Sequence, residues 1–368
     1  MDVVGKLLHQ TGFFGLTPGH VVMWVIGLTL IYLAIKKEFE PLLLLPIGFG
    51  TIIVNLPLSG MLGDHGLLRI FYYGIEYEVI PCVIFLGLGA LTDFGPMIAN
   101  PKTLILGAAA QFGVFIAFFG AIALGFDLRE ACSIGIIGGA DGPTTIFLTQ
   151  AKAPHILGAT AVSAYSYMSL VPILQPPVMR LLTTKEERRI RMRQLRPVSK
   201  TEKILFPLIA LFVICLLVPS IAPLMAMFMV GNLFRESGVV QRLSNTAQNE
   251  LMNIVVMFLG LSITVTMRAE DFLQLKAIKI FSLGIVAFTF SFAGGIIMAK
   301  VMNLFLKEKI NPLIGAAGVS AVPMSARVVQ VVGQKEDPQN FLLMHAMGPN
   351  VAGVIGTATA AGVFMTLL

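Results

Sequence analysis

Twelve apolar stretches dominate this chain and decide what it can fold into. They fall near residues 20–35, 40–57, 79–94, 103–126, 131–149 and 156–182, then near 204–219, 221–234, 250–266, 277–304, 311–331 and 341–367. A membrane span needs about 20 mostly apolar residues. Inside a bilayer the backbone must satisfy its own polar groups, which makes helices the expected element. With 56% hydrophobic and only 12% charged residues, the chain reads as an all-α polytopic membrane protein. The apolar run from Val21 to Ile35 leads straight into Lys36-Lys37 with no small-residue cleavage site, so no cleavable signal peptide is expected. Cys82, Cys132 and Cys215 all lie in apolar segments and read as small packing residues.

Residues 183–203 separate the two sets of segments and carry eight Lys/Arg against three Glu. The formal net charge of +6 is therefore concentrated in one linker. That pattern fits the positive-inside rule better than nucleic-acid binding and places the linker in the cytoplasm. It divides the chain into a first membrane repeat, 1–182, and a second, 204–368. Phe85-Leu86-Gly87-Leu88 recurs as Phe258-Leu259-Gly260-Leu261, and the Gly-rich segment ending at Pro143 recurs as the one ending at Pro323. Tyr167 in the last segment of the first half falls near Asn350 in the second. Pro143 and Pro323 sit mid-segment, where they interrupt a helix. Each half is thus expected to hold about five spanning helices and one re-entrant hairpin, at 131–149 and 311–331. An odd number of crossings inverts the second half, giving an inverted repeat of the transporter kind. Lys36, Lys37, Lys102, Arg235, Arg242, Lys300, Lys307 and Lys309 then fall inside. Arg268, Lys276 and Lys279 fall outside, against the rule.

The segment Gly138-Gly-Ala-Asp141-Gly-Pro143 places a carboxylate inside the first hairpin. A charge at mid-membrane costs about 2.5–3.5 kcal/mol on insertion scales and marks an ion or proton path. Na⁺ prefers oxygen ligands, and broken backbone frees carbonyls to serve. The first hairpin offers Asp141, Thr144 and Thr145. The second offers Asn311, Ser320 and Ser325, and the last segment offers Asn350. One carboxylate among neutral oxygens suits a monovalent ion and is too little charge for a Ca²⁺ site. Asn311 also fits an N-cap, Ser320 and Ser325 close helix packing, Tyr167 an interfacial aromatic, and Arg327 a snorkelling anchor or a binder of an anionic group. Asn55 reads as a helix end and Asp93 as a capped helix end near the interface. The five His are scattered without metal-ligand spacing, and no Walker loop, nucleophile elbow or dinucleotide fingerprint occurs.

These motifs resemble the beta subunits of the sodium-pumping biotin-dependent decarboxylases, the oxaloacetate, methylmalonyl-CoA and glutaconyl-CoA group. The resemblance covers nearly the whole chain. It rests on Gly138–Thr144, on Leu86–Pro96 and on Gly348–Gly356. It implies that Asp141 is the essential ion-binding carboxylate and Tyr167 a functional tyrosine. An Asn-x3-Gly-x4-Ser-x6-Arg pattern falls on Asn311, Gly315, Ser320 and Arg327, and a further functional asparagine on Asn350. The implied metal-site set is Asp141, Thr144, Asn311, Ser320 and Asn350, with Asp141, Tyr167 and Arg327 in catalysis and Arg327 on the cofactor. The implied activity is decarboxylation of carboxybiotin coupled to Na⁺ export, with a proton consumed. Carboxybiotin comes from a partner, because this chain has no Met-Lys-Met biotinylation site. The implied partners are a biotin carrier subunit, a carboxyltransferase alpha subunit and a small membrane-anchoring subunit. An oligomer of that complex in a prokaryotic inner membrane is expected. A stand-alone Na⁺-coupled carrier of an organic anion is the alternative, since one architecture serves both.

Overall fold

The computed structural model describes residues 11–367, which are helical and contain no strand. The first half comprises α1 (Pro18–Lys37), α2 (Pro41–Val54), a pair bent by 66°, α3 (Leu67–Glu76) and α4 (Val79–Leu91), then α5 (Thr103–Ala123). Two short helices follow, α6 (Leu128–Ile137) and α7 (Gly142–Lys152), and then α8 (Leu157–Leu182). The second half comprises α9 (Lys200–Leu217), α10 (Ala222–Ser237), α11 (Gln241–Thr266) and α12 (Leu275–Phe305). A short 3-10 segment, Pro312–Ala317, precedes α13 (Met324–Glu336) and α14 (Leu343–Leu367). Among the described residues six helices are long and apolar enough to cross a membrane, or seven if the bent pair counts as one span. The outer faces of these helices carry large exposed apolar side chains such as Phe119, Phe212 and Ile278. Such apolar surface belongs against lipid, and the protein is a multi-pass membrane protein.

The helices pack into two layers. In one, α1 lies on α2, α2 on α11, α4 on α10, and α10 on α9. In the other, α5, α8, α12 and α14 surround the two interrupted segments, α6 with α7 and the 3-10 segment with α13. Small residues let the backbones touch. A Cβ on Gly89 would lie 1.9 Å from the Phe228 carbonyl oxygen, and one on Gly231 would lie 1.9 Å from that of Leu86. The end of α2 also ties to the other half. Asn55 donates to the Met267 carbonyl at 2.9 Å and accepts from the Ala269 amide at 2.8 Å. Asn232 near the end of α10 does the converse, donating to the Thr92 carbonyl at 2.7 Å. Asn55 is therefore a helix end, as expected, and a cross-half fastener besides.

Two expectations shift in detail, and the linker gains a structure. Pro143 does not interrupt a helix. It is the second residue of α7, where its missing N–H has no partner to lose. Pro323 likewise stands just before α13, which runs on to Glu336, past the expected end at 331. The basic linker is fastened to the second half. Thr184 caps a single helical turn, Lys185–Arg188, and Arg188, Arg191 and Arg193 pair with Glu336, Asp337 and Glu308.

Candidate functional site

Two chain breaks meet in the middle of the second layer. The first lies between α6 and α7, at 138–141, and the second between the 3-10 segment and α13, at 318–323. In the first, Ala140 adopts φ 58°, the left-handed region that an L side chain rarely takes. That turn lets Asp141 become the N-cap of α7, with Oδ1 accepting from the Thr144 amide at 3.0 Å. Its other oxygen, Oδ2, accepts from the Ser320 hydroxyl at 2.8 Å. The Ser320 amide donates to the Gly139 carbonyl at 2.9 Å, so the breaks are joined by backbone as well. Asp141 is 2% exposed. No cation of the chain pairs with it among the described residues, although burying an unpaired carboxylate is costly.

Neutral oxygens surround this carboxylate. Thr144 Oγ1 and Asn350 Oδ1 are buried without a well-formed hydrogen bond. Asn350 spends its amide on the Ala317 and Val319 carbonyls, at 3.1 and 2.6 Å, which fixes its oxygen beside the second break. Native proteins leave few buried polar atoms unpaired. An acceptor oxygen without a donor is what a hard cation requires, and such oxygens on Thr144, in the first turn after the carboxylate, and on Asn350, at the second break, fit Na⁺.

The structure brings Asp141, Thr144, Ser320 and Asn350 together and disperses the other expected residues. Thr145 Oγ1 bonds the Asp141 carbonyl and Ser325 Oγ the Ala316 carbonyl, so both hydroxyls serve the backbone. Asn311 caps the 3-10 segment through the Leu313 amide at 3.0 Å. Its own amide donates to the linker carbonyls of Arg188 and Ile190, each at 2.9 Å. Asn311 thus ties the second segment to the linker rather than to the carboxylate. The Tyr167 hydroxyl donates to the Phe281 carbonyl on α12. Tyr165 faces the break instead: a Cβ on Gly142 would lie 2.2 Å from its ring. Arg327 is exposed on α13 and has no ion pair among the described residues.

Sequence reasoning missed the groups that hold the breaks in place. Gln111 donates to the Gly353 carbonyl and accepts from Thr357, whose hydroxyl also reaches the Gly139 carbonyl. Gln175 donates to the Ala316 and Ser325 carbonyls, at 3.3 Å each, on both sides of the second break. Ser291 donates to the Gly138 carbonyl at 2.6 Å. An amide inside an otherwise apolar helix was the available signal.

The outer ends of the two segments are fastened separately. Glu130, near the start of α6, contacts His155 at 2.8 Å, just past the end of α7, and also binds Lys276. At the far ends of the second segment, Asn311 and Asn340 share the same two acceptors, the carbonyls of Arg188 and Ile190.

A family model described as the Na⁺-transporting oxaloacetate decarboxylase beta subunit matches residues 19–368. The glutaconyl-CoA decarboxylase subunit beta of Acidaminococcus fermentans is 58% identical over 99% of this chain and 97% of its own. The methylmalonyl-CoA decarboxylase subunit beta of Propionigenium modestum is 56% identical over 100% of this chain and 99% of its own. The oxaloacetate decarboxylase beta chain 2 of Salmonella typhi is 50% identical, covering 99% of both.

Proposed function

The chain belongs to the family of Na⁺-transporting decarboxylase beta subunits, and from that premise we propose that it decarboxylates carboxybiotin and couples this step to Na⁺ export. The observation that carries the ion site is the buried Asp141 carboxylate beside the orphaned oxygens of Thr144 and Asn350. In this reading Na⁺ is cargo, held by Asp141, Thr144, Asn350 and, once its hydroxyl turns, Ser320. Carboxybiotin arrives on a biotin carrier loaded by a carboxyltransferase alpha subunit, with a small membrane subunit anchoring the assembly in a prokaryotic inner membrane. Arg327, exposed and without an ion pair, is the group assigned to the incoming carboxylate. Tyr167, whose hydroxyl donates to the Phe281 carbonyl, keeps the functional role on α8 that the resemblance implies, and Tyr165 packs against the break itself. Moving one charge outward against 100 mV costs about 2.3 kcal/mol, so cargo release and carboxyl cleavage must share one conformational cycle.

The end fasteners support an inverted arrangement. Glu130 and His155 lie at one end of the molecule, and both are at the extremities of the first segment. Asn311 and Asn340 are at the extremities of the second and share the linker as partner. Lys276 at the start of α12 binds Glu130 and Lys300 near its other end binds Glu187 of the linker, so in this reading each segment enters and leaves from one side and the two sides are opposite. The cross-half bonds of Asn55 and Asn232 have the same reciprocal form.

The test purifies the complex from native membranes, probes it with avidin for a biotinylated chain, and reconstitutes it in vesicles. Substrate-driven uptake of radioactive sodium is expected. A preparation without a biotinylated chain that moves sodium with an organic anion would establish the carrier alternative. Topology is tested with single cysteines at positions 65 and 189 after replacing Cys82, Cys132 and Cys215. An impermeant thiol reagent outside intact cells should label position 65 and spare 189.

A further inference from the structure

A polar cavity lies at the linker end, away from Asp141. It encloses about 500 Å³ between the linker, the turn before α5, the segment after α12 and the first turn of α14. Its cationic lining is Lys102, Arg191, Arg193, Arg196 and Lys309, against one carboxylate, Glu308. Arg191, Arg193 and Arg196 are spent on Asp337, Glu308 and Glu202. The side chains of Lys102 and Lys309 have no ion pair or hydrogen bond among the described residues. His345 also lines the cavity. It is 7% exposed, and its buried Nδ1 has no hydrogen-bond partner. Two free ammonium groups and an unpartnered, buried imidazole around one cavity describe a site that lacks its anion.

We propose that this cavity binds the N-carboxylated urea group on its way to cleavage, with Lys102 and Lys309 on the carboxylate and His345 hydrogen-bonded to the ligand. The proposal rests on the carboxybiotin reading above and adds a place where the carboxylate first docks. Size fits a small bicyclic ligand: the cavity lies within the range of small-molecule sites, about 300–1,000 Å³. Position fits coupling. Ile190 and Ile310 line the cavity, and the Ile190 carbonyl is the one that Asn311 holds. Asn311 opens the 3-10 segment that leads to Ser320 and so to Asp141. A ligand that moves the linker therefore pulls on a contiguous piece of backbone ending at the ion site.

The first measurement is binding, free of turnover. In the whole complex carrying Asp141→Asn, an amine-acylating reagent modifies Lys102 and Lys309, and mass spectrometry reads the rates. Free N-carboxybiotin should slow both by about fivefold or more, while biotin and inorganic phosphate should not, because neither presents a carboxylated urea. His345→Leu should raise the concentration needed for protection by about tenfold, the loss of one hydrogen bond to a charged group. No protection, or equal protection by phosphate, overturns the proposal. The second measurement is turnover of free N-carboxybiotin by the complex with Asp141 intact. Lys102→Gln with Lys309→Gln should raise KM by about tenfold or more and leave kcat and the Na⁺ half-saturation unchanged. A fall in kcat at unchanged KM also overturns it. Failure of the unsubstituted complex to cleave N-carboxybiotin at all would instead remove the functional reading beneath.

Discussion

The break at 138–141 carries a carboxylate and the break at 318–323 carries none, although both join short helical pieces and touch each other through Ser320. Asp141 can accept from Ser320 because its opposite number is a neutral donor. A second carboxylate there would repel it and raise the cost of burial. The outer fasteners differ in the same way. The charged segment is tied by Glu130, whose partners His155 and Lys276 are 58% and 48% exposed, so solvent screens the contact. The neutral segment is tied by the fully buried Asn311. The buried charge is concentrated in one segment and the buried anchoring contacts in the other. The first should therefore respond to mutation in Na⁺ dependence and the second in stability.

The largest expected effect breaks the charge asymmetry. Asp141→Asn removes the only charge that compensates a desolvated cation, and sodium uptake and decarboxylation should fall together, by about a hundredfold or more. A variant that still pumped near the normal rate would return Asp141 to a simple helix cap. The neutral oxygens come next. Thr144→Ala and Asn350→Ala should each raise the Na⁺ concentration for half-maximal activity by about tenfold, one ligand's worth of roughly 1.4 kcal/mol. Asn350→Ala should also cost stability, because its amide holds two carbonyls of the second break. An unchanged Na⁺ dependence in both would move the site elsewhere.

Asn311→Ala tests the other side of the comparison. It leaves the buried Leu313 amide without its acceptor and each of two linker carbonyls with one donor fewer, so unfolding in detergent should be easier by about 1–3 kcal/mol. The Na⁺ half-saturation should stay within about twofold, since ligand loss would cost nearer tenfold. The reverse result, a shifted Na⁺ dependence in a fully stable protein, would restore Asn311 to the ion ligands that the sequence pattern suggested.

How far the sequence could be read follows from which interactions are local. The helix interruptions were legible because Gly and Pro act on their own backbone, and Asp141 was legible because a carboxylate is rare in apolar surroundings. The boundary at Pro143 was misplaced by a few residues, since proline is equally at home at the start of a helix. Which of Tyr165 and Tyr167 faces the break was not legible. Two residues along a helix is about 200° of rotation, so one faces the break when the other faces α12. The upper part of α8 is buried nearly all round and offers no apolar stripe to set that rotation. The linker's attachment was hidden for a different reason. Asn311 and Arg188 are 123 residues apart, and nothing in a single sequence announces such a pairing.

The smallest expected effect concerns the exposed fastener. His155→Gln keeps a hydrogen-bonding side chain near Glu130 and removes the imidazole. Lys276 still binds the same carboxylate oxygen, and the Asp127 amide holds the other at 3.1 Å. Glu130 therefore remains partnered on both oxygens, and the loss should stay within about 1 kcal/mol, the range of exposed ion pairs. Thermal unfolding of the variant at low and high salt checks this. Salt should reduce even that small difference, because the partners lie within reach of screening ions. Glu130→Gln should cost more than His155→Gln, since it removes the charge that Lys276 pairs with as well as the carboxylate that His155 contacts. If His155→Gln alone destabilised the protein as much as Asn311→Ala, the two segments would be anchored equally, and the contrast between a charged, loosely tied segment and a neutral, firmly tied one would not hold.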